Sequence, residues 1–82
     1  MNLIYKGVLY MEELKRDLLK DMEYYTFDNK LNLYDLEGNF GVTANTTIKY
    51  ECLSFIKKEA ESRGIEVTYY DYDLDVDLLH TL

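Results

Sequence analysis

Eighty-two residues, 48% of them hydrophobic and none of them proline, suit a single domain spanning residues 1–82 and leave no room for a second. At this size roughly 60% of the unfolded chain's surface can be buried, so nine Tyr and three Phe must supply much of the core. Sixteen acidic against nine basic residues give a formal charge of −7, which disfavours direct binding to nucleic acid, because affinity for phosphates comes mainly from Lys and Arg.

In chain order, residues 2–9, NLIYKGVL, are aliphatic, aromatic and β-branched, and predict a first strand that Gly7 interrupts. The next segment, YMEELKRDLLKDMEYY over residues 10–25, carries Met11, Leu14, Leu18, Met22 and Tyr25 at three- and four-residue spacing, and this predicts a helix with one apolar stripe. TFDNK supplies turn residues, and LNLYDLEGNFGVT over residues 31–43 predicts a hairpin of two short strands around Glu37, Gly38 and Asn39. Thr43, Asn45, Thr46 and Thr47 are N-cap candidates for a second helix, residues 48–63, with Ile48, Cys52, Phe55 and Ile56 on one face. Gly64 is placed to end it. A long last strand is predicted over IEVTYYDYDLDV, residues 65–76.

The order strand, helix, strand, strand, helix, strand predicts an α+β fold. The expected form is a βαββαβ ferredoxin-like two-layer sandwich, with two helices on one face of a four-stranded antiparallel sheet. The sheet would be three-stranded without residues 2–9. Within the last strand, Ile65 and Val67 are apolar at odd positions, whereas Tyr70, Tyr72, Leu74 and Val76 are apolar at even ones. A regular strand cannot keep both sets on the core side, so a bulge or bend is expected near Tyr69 and Tyr70.

The same stretch holds the most unusual pattern in the chain, Asp71, Asp73, Asp75 and Asp77 at alternate positions, with no Lys or Arg after Arg63. In a strand these four share one face and form a carboxylate ladder about 20 Å long. Asp is a poor strand former and a row of like charges repels, so local preference does not account for the ladder. One reading is a solvated strand face that discourages pairing at a sheet edge. Another is a recognition surface in which Asp71, Asp73, Asp75 and Asp77, with Tyr69 and Tyr72 beside them, meet a basic partner. A third is a structural metal, zinc for example, held by His80 with Asp73, Asp75 or Asp77, Cys52 being the other soft ligand. The EF-hand calcium loop does not fit, because counting from Asp71 the chain has Val76 and Leu82 where that loop requires Gly and Glu.

Catalysis finds no support: there is no Ser with a plausible base, no pair of His and no phosphate-binding glycine loop, so a non-enzyme without a cofactor is expected. The single Cys52 cannot form an internal disulfide, and MNLIYKGVLYM, with its internal lysine, does not read as a signal peptide. No apolar run approaches the ~18 residues that span a bilayer. A cytoplasmic protein with no membrane partner is the expectation.

Size, acidity, tyrosine content and the clustered DYDLDVD together resemble small phage and prophage proteins that inhibit host defence nucleases, anti-CRISPR proteins in particular. Many of those inhibitors bind the nucleic-acid or recognition surface of a CRISPR effector nuclease, and several imitate the charge of DNA. The resemblance implies a non-enzymatic inhibitor acting in the host cytoplasm on a basic, nucleic-acid-handling surface. The alternative is a small scaffold or homo-oligomerisation module that pairs with a second copy through the apolar strand and tyrosines, with or without the structural metal considered above.

Overall fold

The structure, a computed structural model, describes residues 3–38 and 46–82, the side chains of residues 3–11 excepted. The first helix, α1, runs from Leu3 to Tyr25. From Leu14 onward its predicted stripe faces inward, with Leu18 and Met22 buried and Leu14 and Tyr25 packed at the core's margin; the Met11 side chain lies outside the described residues. Residues 3–9 are therefore helix, not strand. Once a helix is nucleated, each added residue brings its own hydrogen bond, and with no proline present the single Gly7 costs only about 1 kcal/mol. β-propensity, which reflects a packed sheet neighbourhood more than the backbone, does not outweigh that.

α1 stops where Thr26 bonds back to the Met22 carbonyl through both its amide (3.0 Å) and its hydroxyl (2.6 Å). Phe27 and Lys30 then exchange two backbone hydrogen bonds of 2.9 Å across Asp28 and Asn29, whose φ values are 52° and 61°. Positive φ at both central positions marks the tight turn that Asp and Asn tolerate best among residues other than glycine. Strand β1 (Lys30–Asn32) and a short helix α2 (Leu33–Glu37) follow.

The predicted antiparallel hairpin over residues 31–43 is therefore not formed: residues 33–37 are helical, and its second strand, with the cap candidates Thr43 and Asn45, lies outside the described residues. Helix α3 (Thr46–Ser62) brings the chain back, and strand β2 (Glu66–Thr68) pairs with β1 in parallel, Leu31 opposite Val67. A helical return of this kind is what parallel pairing requires.

α3 ends as expected at Gly64, whose φ is +75°. The Ile65 amide donates to the Ala60 carbonyl and the Gly64 amide to the Glu61 carbonyl, both at 3.0 Å, the double closure of a Schellman cap. One core joins all these elements. Leu18 and Met22 of α1, Leu31 of β1, Leu33 and Leu36 of α2, and Cys52, Leu53, Ile56 and Ala60 of α3 are buried together with Tyr69.

After β2 the chain forms an antiparallel hairpin, β3 (Tyr70–Asp71) and β4 (Val76–Asp77), and ends in one 3₁₀ turn, Leu79–Thr81. The α+β class holds. The ferredoxin-like arrangement does not match: the described strands form two separate pairs, one of them parallel, in place of one antiparallel sheet. Among the described residues, no helix is long and apolar enough to cross a membrane.

The break expected near Tyr69 is present, but its nature differs from the expectation. β2 pairs with β1, whereas β3 pairs with β4, so the chain changes partner at Tyr69. It does not change face. From Ile65 to Asp71 the odd positions stay inward, with Tyr69 3% and Asp71 9% exposed, while Tyr70, Tyr72, Leu74 and Val76, expected on the core side, are 39–73% exposed.

Candidate functional site

The stretch that reads as a carboxylate ladder is folded into the hairpin, and its four aspartates have four different surroundings. Asp71 is nearly buried, and its Oδ1 accepts hydrogen bonds from the amides of Asp73 and Leu74, both at 3.0 Å. This is what an aspartate at the head of a turn does, and it reverses the chain over residues 72–75. Asp75 sits in that turn with φ 57° and accepts from the Tyr70 hydroxyl. Asp77 accepts from the Leu79 amide at 2.9 Å, just ahead of the final 3₁₀ turn. Asp73, Asp75 and Asp77 are exposed. The 20 Å ladder is thus replaced by a compact acidic hairpin, because Asp is a poor strand former and Asp71 caps a turn instead.

Two elements hold the hairpin to the core. The Asn32 side chain, at the end of β1, treats Tyr70 as a strand partner: its Nδ2 donates to the Tyr70 carbonyl (3.0 Å) and its Oδ1 accepts from the Tyr70 amide (2.9 Å). The same Oδ1 caps α2 by accepting from the Tyr34 amide at 3.3 Å. Beyond it, α2 and the hairpin exchange bonds reciprocally. Tyr34 donates to Asp73 at 2.5 Å, Tyr72 donates to Asp35 at 3.1 Å, and the two rings meet edge to face with centroids 4.8 Å apart. Below this clasp, the Tyr69 hydroxyl donates to Glu37 at 3.0 Å, and Glu37 also pairs with Lys49 at 2.7 Å.

The clasp walls an open cleft of about 700 Å³ lined by Tyr34, Asp35, Glu37, Asp71, Tyr72 and Asp73, among others, with no basic side chain among the described residues that line it. Lys49 pairs with Glu37 at the cleft, whereas Lys15, Lys57 and Arg63 pair with Glu51, Glu61 and Glu23, so none of these four cations is paired with a hairpin aspartate. Of the residues expected at a partner surface, Asp73, Asp75, Asp77 and Tyr72 lie on the exposed hairpin; Tyr69 and Asp71 are taken inward and support it. The candidate metal ligands do not assemble with one another. Cys52 is in the core, where burial pushes its thiol pKa up, and His80 is exposed in the last turn. Among the described residues, no three of His, Cys, Asp and Glu are grouped to hold a metal.

Sequence reasoning missed Tyr34, Asp35, Glu37 and Asn32. Two signals were available. Asn32 followed by Asp35 three positions later is close to a capping box, and the pair Tyr-Asp recurs at 34–35, 70–71 and 72–73, marking both halves of the clasp.

Three tyrosines in this network resist ionisation. Burial, then the bond to Glu37, holds the Tyr69 hydroxyl protonated well above the ordinary phenol range; the bond to Asp73 does so for Tyr34 and the bond to Asp35 for Tyr72. In the unfolded chain tyrosines ionise near pH ~10, so the contribution from these raised groups is fully present below that pH and is lost as pH climbs above it. The urea midpoint is expected to show no tyrosine-linked change between neutrality and about pH 10, then to fall, with a shallower fall in Tyr69→Phe. Equal slopes in the two proteins would remove Tyr69 from this account.

Comparison with known proteins returns no matching family model and no similar curated protein or solved structure.

Proposed function

We propose that this protein is a non-enzymatic inhibitor that sets its acidic hairpin against a basic, nucleic-acid-handling surface of another protein, of which a CRISPR effector nuclease is the type that its size and acidity suggest. Such an inhibitor acts in the cytoplasm of the host cell. One observation carries the reading: Asp73, Asp75 and Asp77 are exposed together with Tyr72 and Leu74, 58% and 73% exposed, on one ordered hairpin. Carboxylates supply long-range attraction to a cationic surface, and the aromatic and aliphatic groups supply contact area once it is reached. Repeated charge on a small rigid element, not a long ladder, is the form of mimicry this geometry supports.

The test is binding to a panel of CRISPR effector nucleases with and without competing nucleic acid, using Asp73→Asn, Asp75→Asn and Asp77→Asn combined. Asn keeps each acceptor oxygen and tolerates the positive φ at position 75, so the hairpin is retained while three charges are removed. The triple variant is expected to bind at least about tenfold more weakly, and wild-type binding to weaken steeply with salt. Binding that is indifferent to both changes excludes the hairpin charges as the contact.

A second reading, self-association, has its own observation in the exposure of Tyr72, Leu74 and Val76. Four aspartates on the same hairpin oppose a copy meeting itself there. Sedimentation equilibrium distinguishes the two, since self-association raises the apparent mass with concentration.

A further inference from the structure

We infer that the hairpin's back face holds an arginine side chain of the partner, in a groove of about 550 Å³ bounded by Asn32, Thr68, Tyr70, Asp77 and Leu79. The inference rests on the basic-partner reading above and names the partner's chemistry. Tyr70 and Asp77 are directly opposite each other on β3 and β4, so Asp77 lies at the base of the Tyr70 ring. Asp75, outside the groove's lining, marks the other end of the ring by accepting from the Tyr70 hydroxyl. The ring therefore spans two carboxylates, and it stacks on no other ring among the described residues.

Each of these carboxylates uses one oxygen within the chain, Asp75 Oδ1 for Tyr70 and Asp77 Oδ1 for the Leu79 amide. Their Oδ2 atoms have no partner among the described residues. An occupant must accordingly have an apolar stem to lie over Leu79, a flat cation to lie on the Tyr70 face, and donors directed to both ends of that ring. Arginine meets all three requirements. A lysine ammonium can sit over the ring or meet one carboxylate, but it lacks the planar fork of donors. Acidic and neutral segments gain nothing here, given the net charge of −7.

The wider cleft between α2 and the hairpin is the weaker candidate for the same cation. There Tyr34 and Tyr72 pack on each other, and Asp71 is already committed to two backbone amides.

The experiment titrates the full-length protein with capped Gly-Arg-Gly, Gly-Lys-Gly and Gly-citrulline-Gly peptides at low salt, following backbone amide resonances. The arginine peptide is expected to shift Thr68, Tyr70, Asp77 and Leu79 saturably, the lysine peptide to bind about two- to fivefold more weakly, and the citrulline peptide to cause no shift. Tyr70→Leu is expected to bring arginine down to the lysine level while keeping the fold, because Asn32 bonds to the backbone at position 70 and not to the side chain. Equal shifts from arginine and lysine, shifts centred on Asp35 and Asp73, or an arginine preference that survives Tyr70→Leu would overturn the groove. The two readings fail separately. Nuclease binding that is lost in the triple Asn variant but intact in Tyr70→Leu overturns the arginine site and leaves the acidic hairpin as the contact.

Discussion

Leu36→Ala is expected to lower the melting temperature by about 8–40 °C, because truncating a fully buried leucine costs about 2–5 kcal/mol and each kcal/mol moves a domain of this size by about 4–8 °C. Leu36 is 0% exposed and lies in α2, which contacts both α1 and α3. A protein of this length has about 4–12 kcal/mol of stability in all, so the loss is a large fraction of it. The consequence reaches the candidate site. A helix of five residues cannot stand without tertiary support, and Leu33 and Leu36 are the two buried side chains that hold it down. Tyr34, Asp35 and Glu37 depend on that anchor for their positions. Thermal unfolding followed by circular dichroism measures the shift. A fall of less than about 5 °C, well short of the usual leucine-to-alanine range, would mean that α2 is held by something other than its buried leucines.

Asp71→Ala is expected to cost about 2–4 kcal/mol, with the damage concentrated in the hairpin, because a nearly buried carboxylate that accepts two backbone amides is removed and both donors are left in partly buried surroundings. Asp71→Asn keeps an acceptor oxygen in the same place and is expected to recover most of that loss. Hydrogen exchange distinguishes a local from a global effect: amides between Tyr70 and Leu78 should lose protection while those of α1 and α3 keep theirs. An Asn variant as unstable as the Ala variant would show that the negative charge, and not the acceptor, organises the turn. The pair of variants also separates Asp71 from Asp73, Asp75 and Asp77, which the sequence pattern presents as equivalent and the fold does not.

The long helices were legible because their signal is repeated. Leu14, Leu18, Met22 and Tyr25 recur with the helical period and face the core, and Gly64 both looks like a helix stop and adopts the left-handed backbone of one. What was illegible had only one or two turns of signal. α2 is too short for periodicity to register, so residues 31–43 read as strands from composition, and the true marker was the cap at Asn32. Residues 3–9 were misread because residue-by-residue strand preference ignores the helix that follows and simply extends through them.

The candidate site was half legible. Alternating Asp and aliphatic or aromatic residues satisfy the strand template perfectly on paper, yet that template cannot distinguish a 20 Å edge from two two-residue strands joined by an Asp-capped turn. Tyr69 was read as a contact residue because it stands beside the acidic run; its burial depends on the core beneath it and on Glu37, which is 32 residues away in sequence. Only tertiary structure brings these together.

The bond from the Leu78 amide to the Tyr69 carbonyl, 2.7 Å long, closes the base of the hairpin. The eight residues between them leave and re-enter the core at neighbouring points, as the arms of a detour leave and rejoin a road. A two-residue Asn-Gly turn is the connection that such a hydrogen-bonded pair ordinarily accepts. The closing bond therefore leaves the tip of the segment as the part least tied to the core of α1, α2, α3 and the parallel strands. Within that segment the freedom falls on Leu74 and Asp75 at the tip, since Tyr70, Asp71, Tyr72 and Asp73 are tied to Asn32, the turn and α2.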